Sequence, residues 1–289
     1  DLAAIDIPAF IVASWSDQGL HTRGTLEAYR KISSKDKWLL VHGQKKWAHF
    51  YKPENRELAR AFFDEYLKGE ERGVQHWPPV QIEVRESAQA LHLREEREWP
   101  LARTDYQPFY LDAASGRLSP DPVPHAAQLA YESEDEAGEA RFDYRFTQDT
   151  ELTGHMKLRL WIEADGADDA DLFVAIQKID TTGERVGMTF YAFYENGPVA
   201  LGWLRASHRA LDAARSTAEQ PVHSHLREER LEPGKPVPVE IELWPSSTLF
   251  RAGEALRVVV KGMDIYRDAL PNLPFARHED LRNRGRHII

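Results

Sequence analysis

At 289 residues the chain suits one large domain or two ordinary ones of ~100–200 residues each, and 42% hydrophobic with 29% charged residues supports a sizeable core and excludes global disorder. The 47 acidic side chains outnumber the 37 basic ones, a net charge of −10, so a phosphate backbone is repelled and nucleic acid is set aside as a partner. The absence of Cys removes disulfides, thiolate metal sites and a Cys nucleophile, and no apolar run approaches the ~20 residues a bilayer span needs, so no membrane partner is expected.

Residue 1 is Asp rather than Met, no signal peptide is visible, and the last residues stop on an apolar pair without a turn or cap. The expectation is an excised fragment at both ends, with its compartment open and a cytoplasmic setting favoured. Residues 7–14 form a continuous apolar run, as in a strand covered on both faces. The loop Trp15-Ser16-Asp17-Gln18-Gly19 follows, then a helical spacing of Leu26, Tyr29 and Ile32 over residues 25–32. Residues 38–41 make a second short apolar strand, and residues 42–51 read as a loop. A helix follows, with Pro53 in its first turn, Glu54 at the positive end of its dipole and Gly69 at its stop. Strand–helix–strand–helix implies a parallel α/β sheet.

Residues 69–79 read as a Gly/Pro linker, and beyond them the period becomes two. Phe142, Tyr144 and Phe146 alternate with polar neighbours, as do Met156, Leu158, Leu160 and Ile162. Val237, Val239, Ile241 and Leu243 do the same, and so do Leu256, Val258 and Val260. Residues 172–179 and 185–194 add two strands. Alternating strands separated by Gly, Pro and Asp turns imply antiparallel sheets in a β-sandwich. The fold class is therefore α/β plus all-β, divided at residues 1–78 and 79–289. The acidic stretch 132–139 reads as a solvated loop.

Asp17 and His42 each sit just beyond the C-terminal end of a parallel strand, where open α/β sheets bind ligands. An Asp there can accept a hydrogen bond from an imidazole, fix its tautomer and stabilise the imidazolium. The order Asp then His matches the last two members of an α/β-hydrolase triad. The plainer alternative is that Asp17 caps the following helix and His42 meets solvent.

Residues 7–24 resemble the triad-Asp region of the CocE/NonD serine hydrolases, which include cocaine esterase, X-Pro dipeptidyl-peptidases and α-amino-acid ester hydrolases. Residues 37–43, with Lys46-Trp47, Phe50-Tyr51 and residues 62–69, resemble the family's triad-His loop and following helix. Residues 171–174, 202–209 and 239–244 look like its C-terminal jelly-roll domain. The resemblance implies the C-terminal part of an α/β-hydrolase domain followed by a jelly-roll β-sandwich, a Ser-His-Asp triad and an ester or peptide substrate, with no cofactor. It makes Asp17 the triad acid and His42 the base, with His49 as the alternative, because many members place the His in a Gly-Pro-Trp-x-His loop. His21 is expected to shape the site or the helix entry. The family's Ser elbow and oxyanion hole lie upstream, and no Gly-x-Ser-x-Gly occurs here. Ser207 and His208 are expected in a strand, facing opposite ways. This chain alone is therefore expected to lack a nucleophile.

His223 and His225 make a weak metal pair without a third ligand. Asp165, Asp168, Asp169 and Asp171 lack EF-hand spacing, so no metal is expected. Trp161, Trp203 and Trp244 are expected to pack in the core or at an interface, the alternative being that they line an acyl pocket. The function class is a serine esterase or peptidase acting on a small-molecule ester or peptide; the alternative is a non-catalytic sandwich that binds carbohydrate or protein. Association into a homo-oligomer is left open.

Overall fold

The computed structural model describes residues 1–191, 194–266 and 277–289. Strand β1 (Ala9–Ser14) leads into helix α1 (Thr22–Lys31), and strand β2 (Lys37–His42) into a short helix α2 (Lys46–Phe50) and the longer α3 (Pro53–Lys68). Pro53 supplies the preset φ of the first turn of α3, and Gly69 ends it in the left-handed region at φ 70°, where L side chains are strained. Strands β3 (Val80–Arg85) and β4 (Leu91–Glu96) follow. β1 pairs parallel to β2, with Ala9 opposite Lys37 and Ser14 opposite His42. β2 pairs parallel to β3, with Leu39 opposite Val80, and β4 runs antiparallel along β3.

The parallel strands are covered on both faces, as their apolar composition requires. On one side Leu26 and Tyr29 of α1 pack with Trp15, Val41 and Ile82. On the other Phe62 of α3 packs with Trp38 and Val74, its ring centroid 6.2 Å from that of Trp38.

The sheet does not stop at β3. Its Arg85 pairs with Thr248 of strand Val237–Phe250, which runs antiparallel along Thr150–Asp165. One eight-stranded sheet of described residues thus joins the N-terminal parallel strands to the β-rich remainder. A second, seven-stranded sheet is built around Asp171–Ile179, Ala255–Lys261 and Ala140–Arg145. The two sheets share one core, in which Leu160, Ile162 and Ile241 of the first meet Phe142, Val174 and Val260 of the second.

The period-two reading describes Thr150–Asp165 well: Leu158, Leu160 and Ile162 are buried while Arg159 and Trp161 are exposed. Trp161 therefore does not pack in the core, whereas Trp244 is buried. The expected single strand over 185–194 is instead broken into Arg185–Val186, Met188–Phe190 and a piece starting at Tyr194, with residues 192–193 outside the described ones. Gly187 marks the first break: a Cβ there would meet the backbone of Glu195 and Asn196. Ser207 and His208 are likewise not in a strand; they lie in the turn Ala206–His208 that ends strand Ala200–Arg205. Buried Asp169 stops that strand by accepting hydrogen bonds from the Ser207 N–H at 2.9 Å and Oγ at 2.7 Å.

Phe142 is fully buried between the sheets. Phe142→Ala is expected to destabilise the protein by about 3–5 kcal/mol, against within about 0.5 kcal/mol for exposed Leu226→Ala, both read as shifts of the urea unfolding midpoint.

Candidate functional site

The turn after β1 is built by Asp17. Its carbonyl accepts the N–H groups of Leu20, His21 and Thr22, and the Thr22 hydroxyl returns to the Ser14 carbonyl at 2.7 Å, so α1 starts in a fixed place. Gly19 takes φ +97°, and the Tyr191 hydroxyl occupies the space a Cβ would need there. His42 closes β2, and its carbonyl accepts the Trp15 N–H at 2.7 Å. The two strand ends are therefore tied at their bases, and Asp17 and His42, both buried, emerge on the same rim.

Their side chains do not bond to each other. Lys46, at the start of α2, places its ammonium 2.7 Å from Asp17 Oδ2, and His21 Nε2 lies 4.0 Å from the same oxygen. The His42 ring stacks on His49, with centroids 3.7 Å apart and planes 6° from parallel, and its buried Nδ1 has no hydrogen-bond partner among the described residues. The expected Asp17–His42 hydrogen bond is thus replaced by a lysine–aspartate pair and a stacked histidine pair. The reason is α2: residues 42–51 are not an open loop, and the helical turn brings both Lys46 and His49 back over the strand ends.

Both imidazoles are held neutral. Burial, then the neighbouring His49 and the ammonium groups of Lys52 and Lys46, lower the His42 pKa to about 3, partly opposed by the Gln44 backbone. Burial and Lys52 lower that of His49 to about 4, opposed by Glu54.

Residues that periodicity does not single out complete the surroundings. The Glu83 carboxylate accepts the Gly43 N–H at 2.8 Å and the Gln44 side-chain amide. The Glu83 carbonyl accepts the Trp15 indole N–H at 2.8 Å. Arg85 is fully buried, donating to the Val199 carbonyl at 2.9 Å and Ser246 Oγ at 2.7 Å, while its Nη1 has no partner among the described residues; burial lowers its pKa to about 9. Gly43 rests on the Arg85 stem and on Leu91, since a Cβ there would come within 2.7 Å of Arg85 Cδ and 2.6 Å of Leu91 Cδ2.

The remaining candidates have structural partners. Asp171 pairs with Arg205 at 2.7 Å, His223 Nε2 lies 2.9 Å from the Glu240 carbonyl, and His225 Nδ1 lies 3.3 Å from His208 Nδ1. Among the described residues no group of three or more metal-ligating side chains is gathered. Phe173, Trp203, Trp244 and His278 line an open cavity of about 530 Å³, to which Arg23 of α1 also contributes. The centroids of Trp203 and Trp244 are 5.6 Å apart.

Residues 72–288 match the model of the X-Pro dipeptidyl-peptidase C-terminal non-catalytic domain. The chain belongs to that family. It is also similar over 99% and 100% of its length to two crystal structures of a CocE/NonD family hydrolase from Staphylococcus aureus, at 42% and 43% identity and a TM-score of 0.96 each. An α-amino acid ester hydrolase shares the fold at 15% identity and a TM-score of 0.64, over 99% of this chain and 54% of the other. The chain spans about half the length of these proteins, 52% and 53% of the two staphylococcal chains. No curated protein matches. The chain thus corresponds to the C-terminal portion of CocE/NonD family hydrolases.

Because His42 and His49 are neutral when folded, they bind protons in the unfolded chain first. Stability is expected to be full above the unfolded pKa of about 6.5 and to be lost as pH falls toward about 4 and 3. Urea unfolding at several pH values should show this slope flatten in a His42→Gln, His49→Gln double variant; an unchanged slope would assign the acid sensitivity elsewhere.

Proposed function

We propose that this chain is the C-terminal portion of a serine hydrolase acting on esters or amides, with Asp17 and His42 as the acid and base of its triad. The observation that carries the reading is the delivery of both side chains to one rim by adjacent parallel strands, Ser14 facing His42 across the ladder. In this reading residues 1–78 complete an α/β-hydrolase domain and residues 79–289 form a jelly roll, except that β3, just past that division, still belongs to the parallel sheet beside β2. The Ser and the oxyanion hole come from the part of the protein outside this chain.

His42 takes the serine proton and returns it to the leaving group, so it must pass through the imidazolium. A histidine with a pKa near 3 is a poor base, so the arrangement described is a resting one. To work, Asp17 turns from Lys46 to the unpartnered Nδ1 of His42, and its charge raises the imidazole pKa toward the working range. Lys46, released, remains beside the rim as a counter-charge. Water then hydrolyses the acyl-enzyme, with no cofactor required. His49 stacks on His42 and is the alternative base.

A second reading is a binding module. It is favoured by the non-catalytic description of the domain matched at residues 72–288 and by the Trp203–Trp244 cavity, whose aromatic faces suit a sugar ring or a protein side chain.

The intact protein is expected to hydrolyse p-nitrophenyl acetate. Asp17→Asn and His42→Ala should each lower kcat at least about 100-fold, whereas His49→Ala should retain activity within about 5-fold. Activity surviving Asp17→Asn within a few-fold would sink the triad assignment, and loss with His49→Ala alone would move the base to His49.

A further inference from the structure

We propose that Glu83 is the positioning residue that sets the spacing of the two candidate catalytic loops, an assignment that rests on the hydrolase reading above for its functional meaning. Glu83 belongs to neither loop. It lies on β3, one position beyond Ile82, the last residue of β3 in the ladder with β2, opposite Val41; it is therefore level with His42, as His42 is level with Ser14.

From that position Glu83 holds both sides. Its carboxylate receives the backbone N–H of Gly43, directly after His42, at 2.8 Å, and the side chain of Gln44. Its carbonyl receives the indole N–H of Trp15, two residues before Asp17, at 2.8 Å. Gln44 links the two loops a second time, because its carbonyl accepts from Ser16 Oγ at 3.4 Å. Trp15 is fully buried and Glu83 nearly so. Among the described residues Glu83 makes no ion pair, and its charge is spent on loop hydrogen bonds. An ionised acceptor roughly doubles the strength of such bonds, and a buried N–H left without one is costly.

Gly43 has no slack in which to adjust. Arg85 and Leu91 fill the space where a Cβ would stand, and Arg85 is itself fixed by Val199 and Ser246. With the Glu83 contact removed, the loop can relax only outward, carrying His42 with it. A displacement on the order of 1 Å at a reacting group costs about 100-fold in rate, so the contact is a device for catalytic spacing as well as for stability.

The test uses the intact protein and two readouts, amide hydrogen exchange at Gly43 and steady-state hydrolysis of p-nitrophenyl acetate. In Glu83→Ala, exchange at Gly43 should accelerate at least ~10-fold and kcat fall at least ~10-fold, with KM changed by less than ~3-fold. Glu83→Gln keeps a carbonyl oxygen for Gly43 and should recover both to within ~3-fold of the parent. Unchanged Gly43 exchange in Glu83→Ala, or a Gln variant no better than Ala, would overturn the assignment. Should Glu83→Ala fail to fold, Gln44→Ala removes the loop's second hold on the same carboxylate and should speed Gly43 exchange at least ~3-fold; no acceleration would also overturn it. An intact parent without hydrolytic activity would defeat the hydrolase reading, while exchange at Gly43 would still decide whether Glu83 holds the loop.

Discussion

The parallel pairing of β1, β2 and β3 is the constraint on which the rest depends. Side chains alternate faces along a strand, so a slip of one residue between β1 and β2 would turn Ser14 away from His42 and send the Asp17 turn elsewhere. The register is held by the apolar faces, with Trp15, Val41 and Ile82 under α1 and Trp38 under α3. Core packing on both sides of the sheet therefore decides which polar residues reach the rim. The Trp15 N–H to His42 carbonyl bond at 2.7 Å extends that register one step past the strands and brings the two turns together.

The same sheet also joins the N-terminal strands to the β-rich part. Arg85 on β3 pairs with Thr248 and buries its guanidinium among Val199, Ser246 and Thr248, all from the β-rich part. A guanidinium without a carboxylate in a fully buried place is expensive, and the cost is met by carbonyl and hydroxyl acceptors on that side of the junction. Gln18 crosses the same junction, donating to the Val199 carbonyl at 2.9 Å. Candidate catalytic turns and β-rich part are thus continuous, and a family name that marks the latter as non-catalytic is compatible with its supporting the site from below.

Much of this was legible in the sequence. The apolar runs of β1 and β2, the Pro53 and Gly69 ends of α3 and the period of two in Thr150–Asp165 follow from local rules, and strand ends alone bring Asp17 and His42 to one rim. What was hidden depends on tertiary neighbours. Lys46 and His49 read as loop residues, because five residues of helix carry too weak a periodic signal to show that they fold back over the strands. Glu83 alternates with apolar residues in Val80–Arg85 and so reads as a solvent-facing position; it is buried because β3 is central and covered on both faces. The break at Gly187 depends on close approach to Glu195 and Asn196, contacts that no single-strand pattern reveals.

Lys46 holds the Asp17 carboxylate at 2.7 Å while the neighbouring imidazole Nδ1 has no partner among the described residues, so the proposed triad requires one carboxylate to exchange partners. The most direct measurement is a crystal structure of the intact protein after reaction with diisopropyl fluorophosphate, which traps the nucleophile as a tetrahedral adduct. The modified serine is expected on this rim, with the His42 ring turned to it within about 3 Å and Asp17 bonded to His42 rather than to Lys46. An adduct seated elsewhere, or one served by another histidine with Asp17 still on Lys46, would contradict the proposed triad.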